Sequence, residues 1–214
     1  MTIGKSDKVT WSGRLVAVQP RIRLNRSFDE RSHNYLGYNL RLDGTCGDVT
    51  SEFLIAVGKV AHEKHQFCAG MEVSGLSVPV NDPRLENAAY YKTSRITLTE
   101  TANVEVSLKS PPFLKVPPDL WTYRERGHRR LAARTYELKC TTCIWGCRMP
   151  VELVIDNWKP WIKRYRSETF CYGPKSCPLY RAGAIRKVPG RGGVSFQEED
   201  WIDEEVTRHR ADDD

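Results

Sequence analysis

Residues 8–24, Lys8-Val-Thr-Trp-Ser-Gly-Arg-Leu-Val-Ala-Val-Gln-Pro-Arg-Ile-Arg-Leu24, read as one long bent strand. Val9, Trp11, Leu15 and Val16 carry its apolar content. Gly13 is a place for a bulge, and Pro20 asks for an edge or a kink. Working outward, residues 25–34 are a polar loop. Residues 35–42 alternate through Leu36, Tyr38, Leu40 and Leu42 and end at Asp43-Gly44, a hairpin signal. A third strand is expected over 51–57 and a short helix over 58–67. A fourth strand follows over 70–80 and, after a long loop, a fifth over 91–99.

Three strands, one short helix and two strands make an order that resembles the OB-fold, a five-stranded, partly open barrel. The long bent first strand, the Gly70, Val73 and Gly75 spacing, and the Tyr90-Tyr91-Lys92 step before the fifth strand carry the resemblance. It covers about residues 8–100 within a first unit of 1–109. A different small β-barrel is the competing architecture. The resemblance implies a binding face on the second and third strands, flanked by the loops before strands two and five.

Residues 110–118, Ser-Pro-Pro-Phe-Leu-Lys-Val-Pro-Pro, exclude a helix interior or a central strand and read as a stiff linker. Asp119 is an N-cap candidate for a basic helix interrupted by Gly127, so that 110–134 join two units. Residues 135–182 then hold Cys140-Thr-Thr-Cys143-Ile-Trp-Gly-Cys147 and Cys171-Tyr-Gly-Pro-Lys-Ser-Cys177, five of the seven cysteines. Two strand-like runs, 149–155 and 161–170, lie between them. Turn, strand, hairpin, strand and turn predict a zinc-ribbon-like unit, so the fold class is mainly β: an OB-like barrel plus a small metal-binding unit.

Zinc takes four thiolates at about 2.3 Å in a closed structural site. Cys140, Cys143, Cys171 and Cys177 are the expected set, with one pair from each end of the hairpin, and Cys147 is the alternative ligand. The C-x5-C step is longer than the usual knuckle and keeps an iron–sulfur cluster or redox thiols open. His62, His65 and Cys68 are three apart, but Cys68 falls past the helix end; Cys46 reads as inert.

The net charge is +6, yet residues 197–214 carry nine acidic side chains against Arg208 and Arg210. The rest holds 31 basic and 18 acidic residues, a body of +13 that favours a polyanion. Candidate nucleic-acid contacts are Arg21, Arg23, Arg26, Phe28, Arg31, Tyr38 and Arg41 around the first loop. Tyr90, Tyr91, Lys92 and Arg95 stand before and in strand five, and Lys163, Arg164 and Arg166 lie on the hairpin. Rings for bases to stack on, beside cations for phosphate, are what single strands require. Trp158 and Trp161 interleave with these bases, half of the hairpin aromatics being expected to cover the metal. Residues 183–214 read as a basic loop and an acidic tail. Ser195-x-x-Glu198 is a capping box for a helix reaching about residue 206, and the tail is a candidate competitor for phosphate or a contact for a protein partner.

No G-x-x-x-x-G-K-[ST], H-E-x-x-H or G-x-S-x-G pattern occurs, so the expectation leans away from an enzyme. The absence of an apolar run of 18 residues and of a signal-peptide pattern leads to a cytoplasmic expectation with no membrane span. The expected function is single-stranded DNA or RNA binding with a structural metal. A zinc- or iron–sulfur-dependent enzyme or redox subunit, and an assembly protein with an acidic partner, are the alternatives.

Overall fold

The computed structural model describes residues 8–100, 110–198 and 201–211. The long bent strand is β1 (Val9–Arg26), and its register slips between Leu15 and Ala17 and again between Arg21 and Ile22. The first bend therefore lies past Gly13. Gly13 does something else: it faces Gly44 where β1 is bonded on both sides, and a Cβ on either glycine would overlap the other strand's backbone.

β2 (Arg31–Cys46), β3 (Val49–Val57), α1 (Lys59–His65), β4 (Glu72–Pro79) and β5 (Tyr90–Glu100) follow in the expected order. Neighbours run β1-β2-β3-β5-β4 and return to β1, so five strands form a ring. Its thinnest seam is β3 with β5, a single parallel pairing of Ile55 with Tyr90. Trp11, Leu15, Leu40, Leu42, Ile55 and Val73 turn inward and are buried. His62 of α1 lies 3.9 Å, centroid to centroid, from the Tyr38 ring, closing one end of the ring.

β1 outlasts this ring. Its last residues, Leu24–Arg26, pair in parallel with Val151–Leu153 of β7 (Gly146–Val154). β7 pairs along its whole length with β8 (Lys163–Cys171), and β8 with the short β6 (Arg129–Arg130). The cysteine-bearing hairpin thus continues the same sheet, and one buried cluster runs from Trp11 to Val188. The Pro-rich segment is not a free spacer. The carbonyl of Phe113 accepts from the Ile144 N–H at 3.0 Å, and that of Pro118 accepts the Tyr38 hydroxyl at 2.7 Å.

Asp119 caps α2 (Leu120–Arg126), which ends at the expected interruption, Gly127; beyond it Arg129–Arg130 form β6 and not a continuation of the helix. α3 (Ala133–Thr135) runs into a π turn, Tyr136–Cys140, that delivers the first cysteine. The capping box is also displaced. Ser195 lies in β10 (Ser195–Gln197), which pairs with β9 (Lys187–Pro189), and Glu198 is taken by two arginines. The last helix, α4, spans only Trp201–Thr207. Among the described residues no helix is long and apolar enough to cross a membrane.

One buried side chain ties the two halves of the sheet together. Gln19, mid-β1, donates from Nε2 to the carbonyls of Cys140 and Cys143, each at 2.8 Å, and its Oε1 accepts the Tyr136 hydroxyl at 2.7 Å. Gly146 leaves the room for this: a Cβ there would press on the Cys140 carbonyl and on Gln19 Nε2. Buried groups stripped of partners cost about 1–3 kcal/mol each. Gln19→Leu is therefore expected to lower stability by more than about 3 kcal/mol, read as the shift in urea midpoint; a change within about 0.5 kcal/mol of zero would show that the tie is dispensable.

Candidate functional site

The turn after the π segment is built by backbone hydrogen bonds, Cys143 N–H to Cys140 O at 3.2 Å and Gly146 N–H to Cys143 O at 3.0 Å. It points Cys140 and Cys143 into one small cavity that Cys171 and Cys177 also line, with Phe113, Trp145 and Tyr180 as walls. The space enclosed is about 10 Å³. Backbone amides face two of the sulfurs. Cys143 Sγ accepts from Trp145 and Phe113, and Cys171 Sγ from the Gly173 N–H at 3.4 Å. Arg129 braces the second turn through the carbonyls of Pro174 and Lys175, at 2.8 and 3.3 Å. Burial, then the neighbouring Cys143, Cys171 and Cys177, pushes the Cys140 thiol up to about 12; burial takes Cys143 up to about 11. As they stand, no three His, Cys, Asp or Glu side chains among the described residues are arranged to hold a metal ion.

Cys147 lies elsewhere. It is fully buried, its thiol 3.4 Å from the Pro20 carbonyl, and burial raises its pKa. One residue beyond Gly146 in β7, it is turned to the opposite side of the strand from the cavity. Of the histidines, His62 is buried beside Pro117, and Cys68 lies past the end of α1, so the three-apart set shares no site.

The candidate nucleic-acid residues divide sharply. Most of the arginines already have partners within the chain. Arg21 pairs with Glu86, Arg41 with Glu52, and Arg166 with Glu168 at 2.5 Å. Arg23 donates to the Leu85 carbonyl at 3.0 Å. Arg26 and Arg31 share one oxygen of Glu198, at 2.6 and 3.0 Å. Tyr38 is core, 2% exposed, and Tyr90 and Tyr91 are half-buried. The β4–β5 loop packs on the hairpin instead of flanking an open groove: the Arg84 guanidinium sits 4.6 Å from the Tyr165 ring centroid, and Asn87 donates to the Arg148 carbonyl.

What remains accessible is different. Trp158 and Trp161, in the β7–β8 turn, are 80% and 73% exposed, with Ile162 beside them. They stand at the far end of the hairpin from the cysteines, about 30 Å along nine residues of strand, so they cannot cover that cavity. Lys159 lies in the turn and Lys163 and Arg164 open β8; all three are exposed, but Lys163 is paired with the Glu152 carboxylate at 2.7 Å. Next to it Phe28 and Phe196 stack, centroids 4.9 Å apart and planes 28° apart. Phe28, Trp158, Arg191 and Phe196 line one open groove. Lys92 and Arg95 are exposed on β5 at φ of +52° and +53°, a left-handed backbone uncommon for long side chains. Sequence reading missed the tip because exposure of a tryptophan leaves no trace in composition. It missed Gln19 because one amide in an apolar strand looks like a surface residue.

Between the ring and the C-terminal segment lies a buried charged layer. Glu168 binds Arg166 and Arg186, the latter at 2.7 Å, and Asp203 binds Arg130 Nε at 3.0 Å. The His33 and His128 rings meet there at 4.7 Å, and neither Nε2 has a hydrogen-bond partner. No family model, no curated protein and no solved structure matches the chain, so its chemistry is read from its own residues.

Burial, then the charges of Arg31 and Arg26, brings His33 down to about 4, and burial holds His128 well below 6.5. Both are neutral in the fold, and the unfolded chain binds protons first. Stability is therefore full above pH 6.5 and falls as pH drops from there toward 4, with His33 alone contributing up to about 2 kcal/mol of loss by pH 5. Urea midpoints at pH 7 and pH 5 should show this drop, and His33→Gln should shrink it; an undiminished drop would clear His33 as its source.

Proposed function

We propose that this chain binds single-stranded nucleic acid through the exposed hairpin tip, on a hairpin whose root is held by one structural zinc ion and which continues an OB-like ring. The observation that carries the reading is a pair of tryptophans, 80% and 73% exposed, set beside the exposed Lys159 and Arg164. Water-exposed indoles are costly to keep unless something covers them, and a base covers a ring without reading its sequence. The adjoining cations neutralise phosphate, as the excess charge of the body favours. Strand order β1-β2-β3-β5-β4-β1, with β3 parallel to β5 and a helix between β3 and β4, supports the OB-like description. The working surface then differs from the family expectation: it moves from the β2–β3 face to the hairpin that continues β1.

Four thiols around one cavity, with amide N–H groups already aimed at two sulfurs, supply the donor chemistry for zinc. Loading would require the thiols to close by a further contraction, since they are not gathered on one ion as they stand. The narrow space favours a single ion over an iron–sulfur cluster. Zinc would hold both turns and so fix the root of the hairpin that carries the tip.

Two measurements test these readings. Trp158→Ala and Trp161→Ala should each weaken binding of a short oligothymidylate or oligouridylate about 5- to 100-fold at low salt, the value of one base stack. Unchanged affinity, or no binding by the unaltered chain at low salt, sinks the nucleic-acid reading. Elemental analysis of purified protein should find about one zinc per chain, lost in Cys140→Ser and Cys171→Ser and kept in Cys147→Ser. Protein without zinc, or loss on the Cys147 change alone, overturns the ligand set.

A further inference from the structure

We infer that residues 196–198 occupy, in cis, a nucleotide site formed by the β1–β2 loop. Phe196 takes the place of a base on Phe28, and Glu198 the place of a phosphate between Arg26 and Arg31. This rests on the nucleic-acid reading above and assigns a second, masked contact to it.

The receptor is compact in sequence. Arg26 ends β1, Arg31 begins β2, and Phe28 sits between them at the loop. An aromatic ring with two guanidinium groups a few residues away is the minimal set for one unpaired nucleotide: a face for the base and donors for the phosphate. The occupant is equally compact. The Phe196 ring lies 4.9 Å from Phe28 in a stacked orientation, the geometry a base would adopt. Two residues on, one carboxylate oxygen of Glu198 accepts from both arginines, at 2.6 and 3.0 Å. Glu198 is 5% exposed, while Phe28 keeps 52% of its surface in water. Half of the stacking face is thus still open, and only the anion position is sealed.

The occupant is lightly held. β9 and β10 are three residues each; β9 is anchored, with Val188 buried and the Lys187 carbonyl accepting from Arg166 at 2.6 Å, but β10 is an outer strand whose only strand pairing is with β9. All of β10 is exposed. Beyond the ring stack, the ion pairs and the β9 ladder, this stretch is tied to its surroundings by the Glu198 N–H, which donates to the Arg186 carbonyl at 2.9 Å. Lifting Phe196 and Glu198 away would free two cations for a backbone phosphodiester, whose two non-bridging oxygens take the place of the carboxylate's two. The exchange trades one anion for another, so neither state leaves the arginines bare.

The test compares the full chain with the double variant Phe196→Ala, Glu198→Gln, using a fluorescent oligothymidylate at low salt. The variant is expected to bind about tenfold more tightly, with a steeper loss of affinity on adding salt, because more phosphates are engaged. Adding Phe28→Ala to that variant should erase the gain, while Phe28→Ala in the otherwise unaltered chain should change little. Equal affinity and equal salt slope in chain and variant overturn the masking and leave the nucleic-acid reading intact; binding by neither overturns both. Hydrogen exchange on the unaltered chain is a second readout that needs no folded variant. Saturating oligothymidylate should speed exchange of the amides from Phe196 to Glu198 several-fold, and unchanged or slowed exchange there counts against the inference.

Discussion

The Gln19 amide is where the fold is decided. β1 must serve three neighbours: β2 from Trp11 to Arg26, β4 in its first six residues and β7 in its last three. What brings β7 to it is the cysteine turn, whose carbonyls would otherwise be buried without donors. A single primary amide has two N–H groups and one acceptor, and here all three are used, on Cys140, Cys143 and Tyr136. Such a contact is satisfied in one register only. It fixes the start of β7, hence the pairing of β7 with β8, and hence the direction in which the hairpin turn projects.

The second constraint is electrostatic. A body this basic would repel itself unless its arginines found acids, and the chain supplies them internally. Glu86, Glu168, Glu198 and Asp203 each bind arginines drawn from elements distant in sequence. Burial works against the Glu198 carboxyl's charge, yet the Arg26 hydrogen bond and the charges of Arg26, Arg31 and Arg186 hold it below the usual glutamate range. The price is specificity of partners: residues that look like phosphate binders in a linear reading act as internal struts. Lys159 and Arg164 at the hairpin tip and Lys92 and Arg95 on β5 stay exposed, and they define a much smaller accessible surface than the net charge suggests.

A large part of the architecture was legible from the chain alone. Alternation places the five strands and α1 within a few positions, since a strand with one buried face must alternate, but the Asp43-Gly44 turn signal was misplaced: β2 runs through it to Cys46, and the chain turns at Gly47-Asp48. Cys140, Cys143, Cys171 and Cys177 as one group were legible too, because pairs at the two ends of a hairpin must return to each other; all four line the same cavity. The bend in β1 was legible as a fact but not at its place. The N-cap at Asp119 and the break at Gly127 were legible; the capping box at Ser195 was misread because local propensity was overridden by long-range contacts of Glu198 with Arg26 and Arg31.

The amino-acid chain carries local information: which segments are strands, which carry charge, and which cysteines stand at matched ends of a hairpin. These follow from backbone sterics and side-chain periodicity, which act over a few residues. Folding adds that the cysteine hairpin joins β1 in one sheet, that Cys147 turns away from the other cysteines, and that Trp158 and Trp161 face water. Folding also settles which arginines meet the chain's own carboxylates. Those outcomes depend on pairing and desolvation between segments far apart in the chain, as Pro20 and Cys147 are, and neither leaves a pattern in neighbouring residues.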